Sequence, residues 1–276
     1  MIEIPEAAAY SAQLEKTIHA KRIAAVEADH SPHKFAWYCG DPKQYPSKLT
    51  GKTITGVQPA GGMVVVSAEG MRIVLSEGAG IRFFEDSSHL PEKHQLLLRF
   101  EDGSYLVVSV RMYGGIFAFP EGEFDNPYYL DARDKPDPLH ADFNRAYFDD
   151  LLALTGIEKL SAKAFLATEQ RIPGLGNGTL QDILFHAGVH PKRKMGAFSA
   201  KDIDALFFSI KNTLKEMAEK GGRDTEKGIF GEPGGYATKC SRLTAGRPCA
   251  VCGSKIEKGN YLGGSIYFCP RCQLLG

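Results

Sequence analysis

IPGLGNGTLQDILFHAGVHP, residues 172–191, is the stretch whose reading decides the fold. Gly174, Gly176 and Gly178 read as a tight turn. Residues 179–187 follow as a helix, closed by Gly188 and Pro191. A glycine turn that feeds a helix N-terminus exposes backbone N–H groups, which suits a phosphate oxygen. Asn177 adds a side-chain donor at the turn. Without a ligand the same stretch is an ordinary corner between two helices. The basic run Lys192-Arg193-Lys194 just beyond it tilts the reading towards nucleic acid. On its own such a run is more often a solvated face.

Working outward, helical patterning also covers residues 146–154, 161–169 and 199–220, so the centre of the chain is an all-helical unit. Downstream, Cys249-x2-Cys252 and Cys269-x2-Cys272 stand sixteen residues apart. Two such knuckles arrange four thiolates tetrahedrally around one zinc ion, at about 2.3 Å each. SIYF before the second knuckle predicts a β-hairpin, hence a zinc ribbon. Four thiolates leave no open coordination position, so the zinc, one per chain, is structural. The competing reading is two disulfides or free thiols. Cys39 and Cys240 fall outside the motif and read as structural thiols. The tail from Gly221 is too poor in apolar residues to fold without help.

Upstream, from Lys52 to Phe119, the texture is short β-rich runs: TITGVQ, MVVVSA, MRIVLS, HQLLLRF, SYLVVSV and GIFAF. Gly-bearing turns separate them, which predicts a sandwich or barrel. NPYYLDARDKPDPLHADF reads as a linker. At the start, residues 5–19 are helical, with Pro5 in the first turn and Ala8, Leu14 and Ile18 near one face. Glu3 and Glu6 sit there beside the N-terminal amine. One reading makes them a catalytic pair. The other makes them partners of the helix dipole, contributing about 0.3–1 kcal/mol each.

The 276 residues carry 33 basic and 33 acidic side chains, which argues against a protein that coats DNA by charge alone. No apolar run approaches membrane-spanning length, and no signal-peptide layout precedes the first helix. Four of the six cysteines crowd into residues 249–276, which favours a metal site in a reducing cytoplasm over a disulfide framework.

Together these pieces resemble the formamidopyrimidine-DNA glycosylase / endonuclease VIII family across essentially the whole chain. The matching motifs are I-x-x-PE at the start, PGLGN…AGVHP in the middle and PCAVCG…YFCPRCQ at the end. PEKH (91–94) and RMYGG (111–115) match more weakly. The resemblance implies an α+β architecture. An N-terminal β-sandwich with a flanking helix is followed by a helix–two-turn–helix domain and a zinc-ribbon finger, with expected boundaries 1–130, 131–225 and 226–276. It implies a base-excision-repair enzyme that flips a damaged base out of duplex DNA, acting as a monomer on damaged or abasic sites. In the family an N-terminal proline amine attacks the sugar C1′, displaces the base and forms a Schiff base, and elimination nicks the strand. A neighbouring glutamate moves the protons and a second glutamate supports it. Carried over, these roles fall on Glu3 and Glu6, with His94, Arg111, Tyr113, Asn177, Lys192, Arg193 and Lys194 on the DNA side. Lesion recognition falls in the glycine-rich stretch 221–236.

The departures are specific. The family's proline is Ile2 here, so Met1 is expected to remain and to supply a primary amine. The hairpin lysine falls on Gly62, the wedge methionine near Gly78, a second arginine on Met112, and the finger arginine on Gly264. Two functions follow: a divergent glycosylase/AP lyase using the Met1 amine or a water activated by Glu3, or a catalytically silent binder of damaged or structured nucleic acid.

Overall fold

A computed structural model describes residues 1–275. The chain forms two compact units, Met1–Arg133 with Glu226–Pro233, and Asp134–Thr225 with Gly234–Gly276.

The first unit opens with α1 (Ile4–Ile18), whose residues Ile4, Ala7, Tyr10, Leu14 and Ile18 are buried at helical spacing. Nine strands follow: β1 (Ile23–Ala28), β2 (Ala36–Tyr38), β3 (Ile54–Ala60), β4 (Met63–Ala68), β5 (Met71–Ser76), β6 (Ala79–Phe84), β7 (Leu96–Phe100), β8 (Tyr105–Val110) and β9 (Gly114–Pro120), with a short helix α2 (Tyr45–Leu49) after β2. They make a four-stranded sheet, β1-β7-β8-β6, and a five-stranded sheet, β2-β9-β5-β4-β3. The six β-rich runs seen in the sequence all become strands. Tight turns set the hairpins. Glu69 and Gly70, at φ 36° and 81°, join β4 to β5, the left-handed pair a type I′ turn requires. Val64, Val66, Ile73, Leu75, Ile116 and Ala118 pack with Leu96, Leu98, Leu106, Val108 and the α1 residues in one core. Val65, Val74 and Phe119 pack on the opposite face with Tyr129 and Phe124. Burial on both faces explains why MVVVSA reads as a continuous apolar run and not an alternation.

The stretch expected to be a linker holds a helix, α3 (Pro127–Asp134). It buries only Tyr129 and Ala132, and so little apolar patterning did not stand out among its prolines and aspartates. The tail expected from residue 226 onward is also divided: Glu226–Pro233 belongs to the first unit. Ile229 is fully buried in the sandwich core. Tyr10 Oη donates to Lys227 O at 2.8 Å, Arg82 Nη1 to Gly228 O at 2.8 Å and Phe83 N to Ile229 O at 2.9 Å.

The second unit holds α4 (Arg145–Leu152), α5 (Ala162–Ala167), α6 (Thr179–His186) and α7 (Ala200–Glu219), then the hairpin β10 (Glu257–Tyr261) and β11 (Gly264–Phe268). Phe143, Phe148, Phe165 and Phe207 form its aromatic centre. Ser199 and Asp202 close a capping box on α7. The observed helices follow the expected ones within a few residues, α5 ending two residues early.

Candidate functional site

The β5–β6 and β8–β9 connections each carry the chain from one sheet to the other, and the two corners meet. A Cβ on Gly78 would lie 1.8 Å from the Tyr113 carbonyl oxygen, so only glycine permits this approach. That is the physical reason no wedge side chain stands at Gly78. The corners place Glu77 and Tyr113 together, and the Tyr113 hydroxyl donates to the Glu77 carboxylate. The same hydroxyl lies 3.6 Å from the Met1 sulfur. Burial, and then the neighbouring charge of Glu3, push Glu77 above the usual carboxylate range.

Glu3 and Glu6 are buried, at 3% and 1% exposure. Both belong to a capping box at the start of α1. Glu6 Oε2 accepts the Glu3 N–H at 3.2 Å, so Glu6 does cap the helix it sits on. Ile2 is a core side chain, 2% exposed and packed in the sandwich interior. The Met1 amine pairs with the Glu226 carboxylate. One amine and four carboxylates, from residues 1–6, 77 and 226, therefore surround one corner. Glu77 and Glu226 escaped sequence reading: Glu226 is 225 residues from its partner, and nothing local marks Glu77 as facing Glu3.

Arg111 and Met112 are exposed beside Tyr113, and Trp37 (50% exposed) lies with its ring centroid 6.0 Å from that of Tyr113. His94, expected on the DNA side, is different: its ring is 6% exposed and its Nε2 lies 3.2 Å from Glu27 Oε2.

In the second unit, Asn177 Nδ2 donates to Ser265 O at 2.9 Å. Gln181 Oε1 accepts from Tyr267 N at 3.0 Å, so two side chains of this region hold the finger hairpin. Buried Asp182 accepts from Lys239 N and Cys240 N at 2.8 and 2.7 Å, and burial pushes its carboxyl up. Gly264, where the finger arginine was expected, has Lys163 Nζ 3.3 Å and Asn177 Nδ2 3.5 Å from its would-be Cβ. A lysine from α5 thus occupies the space beside that position, and its burial lowers its pKa. The run beyond is mixed. Arg193 pairs with Asp202 at 2.9 Å, Lys194 donates to Lys159 O at 2.8 Å, and Lys192 is exposed over the Tyr261 ring.

Cys249, Cys252, Cys269 and Cys272 place all four sulfurs within 4.8 Å of one another. Two pairs stand at 3.9 Å and 3.4 Å. Thiolates at about 2.3 Å from a tetrahedral ion stand about 3.8 Å apart, so the cluster fits one metal ion and is too open for disulfides. Val251 N and Cys272 N each donate to a ligand sulfur at 3.4 Å, and hydrogen bonds from Ser254 bring the Cys252 thiol down to about 6. Among the described residues no helix is long and apolar enough to cross a membrane.

The chain matches the formamidopyrimidine-DNA glycosylase N-terminal domain over residues 1–156 and the formamidopyrimidine-DNA glycosylase H2TH domain over residues 135–227. It is 27% identical to formamidopyrimidine-DNA glycosylase of Lactococcus lactis subsp. lactis (strain IL1403) and 29% identical to that of Bacillus subtilis (strain 168). Each alignment covers 99% of both chains. Similar solved structures include the Lactococcus lactis enzyme in complex with DNA containing an abasic site (TM-score 0.83) and with Fapy-dG-containing DNA (TM-score 0.81). Both are 25% identical; the first covers 99% of both chains, the second 99% of this chain and 100% of its own. The chain belongs to the formamidopyrimidine-DNA glycosylase family and is a DNA glycosylase/AP lyase of that family's fold.

Proposed function

We propose that this DNA glycosylase/AP lyase excises a damaged base with the Met1 amine as nucleophile and Glu3 as the group that moves protons. The neutral amine attacks C1′ as the glycosidic bond breaks, and the base leaves with the bonding electron pair and a proton relayed by the carboxyl group. Loss of a proton from nitrogen and opening of the sugar ring give a Schiff base. Elimination then cleaves the strand, and hydrolysis of the imine returns the amine. The observation that carries this reading is the burial of Glu3 beside an amine that Glu226 orients. Glu6 supports Glu3 through its backbone, and Ile2 anchors the N-terminus in the core. Glu77 is a further proton-holding group in this scheme.

On the sandwich unit, Arg111 is assigned to the DNA side, whereas the buried His94 ring is held against Glu27. Tyr113, with Trp37 beside it, offers an aromatic surface to a base without its partner. On the helical unit, Asn177, Lys163, Lys192, Arg193 and Lys194 are assigned to phosphates, with the lysine of α5 standing in for the finger arginine. Cys249, Cys252, Cys269 and Cys272 would hold one zinc ion, which stabilises the finger and takes no part in the chemistry. The reading takes the division 1–130, 131–225 and 226–276 as functional parts, with residues 226–233 lent back to the first. A cytoplasmic monomer fits it.

A second reading, a binder without catalysis, draws on Ile2 and on the pairing of the amine with Glu226. Borohydride trapping on duplexes with an oxidised purine, an oxidised pyrimidine or an abasic site separates the two. A covalent adduct mapped to Met1 supports the enzyme. Tight binding of the same duplexes with no adduct and no strand cleavage supports the binder.

A further inference from the structure

Away from that corner, β1 and β7 end in a second cluster of metal-ligating side chains. The antiparallel register pairs Ala28 with Leu96, and it continues: Asp29 N donates to Gln95 O at 2.8 Å and Ser31 N to His94 O at 3.0 Å. Extending it sets His30 opposite His94. Asp29 is left-handed, at φ 54°, and this turns His30 onto the side of Glu27. The two imidazoles stack at 4.5 Å with 5° between their planes. Glu27 Oε2 lies 3.2 Å from His94 Nε2 and 3.6 Å from His30 Nδ1.

The hydrogen-bond roles at His94 are forced. Its Nδ1 lies 3.3 Å from the Pro91 carbonyl oxygen, which only accepts, so Nδ1 carries the proton. Its Nε2 faces Glu27 Oε2, the same oxygen that His30 Nδ1 faces, so the three donors converge on one point. A backbone carbonyl that fixes the ring through its far nitrogen is the usual support of a metal-binding histidine.

We propose that Glu27, His30 and His94 form a second metal site, selective for a zinc-like transition-metal dication. Two imidazoles and one carboxylate are borderline donors that favour zinc, cobalt, nickel or copper over magnesium or calcium. For ligands at about 2.0–2.1 Å around a tetrahedral ion the donor spacing is about 3.4 Å, and the two distances to Glu27 bracket it. The three donor atoms lie within 4.8 Å of one another. His30 and Glu27 are half exposed, at 53% and 55%, and close the remaining gap by rotation, whereas His94 is fixed in the protein.

The test is a titration of the zinc-loaded protein with Co2+, followed by visible absorption and calorimetry. One further equivalent binds, with ligand-field bands lacking thiolate-to-cobalt charge transfer. His30→Ala and Glu27→Gln, both at exposed positions, each weaken this second equivalent by at least about tenfold. The assignment is overturned if no further equivalent binds, if both variants bind it as tightly as the parent, or if the spectrum is that of cobalt on thiolates.

Discussion

In the finger, four sulfur donors come from one stretch, residues 249–272, and stand within 4.8 Å of one another. At the N-terminal corner, an amine and four carboxylates come from residues 1–6, 77 and 226, with Ile2 buried in the sandwich core. The finger brings four thiols together in an arrangement that one metal ion would fit. The corner brings like charges together and relies on burial, a shared hydroxyl and one amine, which leaves a carboxyl such as Glu77 holding its proton into a higher pH range. A closed set of four thiols suits a structural metal site, and a crowded set of buried carboxyls is the kind of arrangement that proton transfer draws on.

The largest effect that sharpens this contrast is at the finger. Cys249→Ser removes one of four ligands, so the purified protein loses its stoichiometric zinc and residues 249–272 unfold. Structural zinc contributes on the order of 10 kcal/mol to the folding of such modules. A chelator-chromophore assay that still finds one zinc per chain breaks the comparison at its first term.

At the corner, Glu3→Gln keeps the shape and removes the group proposed to transfer protons. Base excision in single-turnover assays should slow by about 10²- to 10⁴-fold, with zinc content unchanged. A rate equal to the parent's would reduce Glu3 to packing.

Ile229→Ala probes the sandwich core that also holds Ile2. Emptying a fully buried aliphatic site costs about 2–5 kcal/mol, read as a lower urea midpoint. An unchanged midpoint means that residues 226–233 do not belong to the sandwich core.

The smallest effect serves as a control distant in kind from both sites. Asp202 is held down to about 2 by its hydrogen bond to Arg193, and then by the Ser199 backbone N–H. Its pKa is depressed in the folded state. The stability it adds is therefore present above its ordinary value near 4 and fades as pH falls from there towards 2. At a partly exposed pair this is less than about 1 kcal/mol. Asp202→Asn should flatten that part of the acid limb, and an acid limb identical to the parent's would remove the pairing.

What the sequence disclosed, and what it withheld, divides along the same line. Cysteine spacing, the glycine turn before α6 and the apolar runs of β4, β5 and β8 are local patterns, and they correspond to a four-cysteine cluster, the start of a helix and three strands. Strands β1, β2 and β6 were missed because they are short or broken by charged and glycine residues. Glu77 gains its neighbours only because two sheet-switching corners meet at Gly78. The Glu27–His30–His94 cluster depends on a strand register that periodicity alone does not set. Asn177 was read as a donor to phosphate at the turn, and one of its N–H groups goes to the finger's own backbone.

Ile229 also ties the order of synthesis to the order of folding. The sandwich strands are complete by Pro120, but a fully buried member of their core is translated about a hundred residues later. At about 5–20 residues per second, a nascent sandwich waits roughly 5–20 s with that place unfilled. A ribosome that stalls within the helical unit therefore holds a chain whose strands are all made but whose core is one segment short. Such an intermediate offers chaperones an exposed apolar notch, and a premature stop before residue 226 leaves that notch permanent.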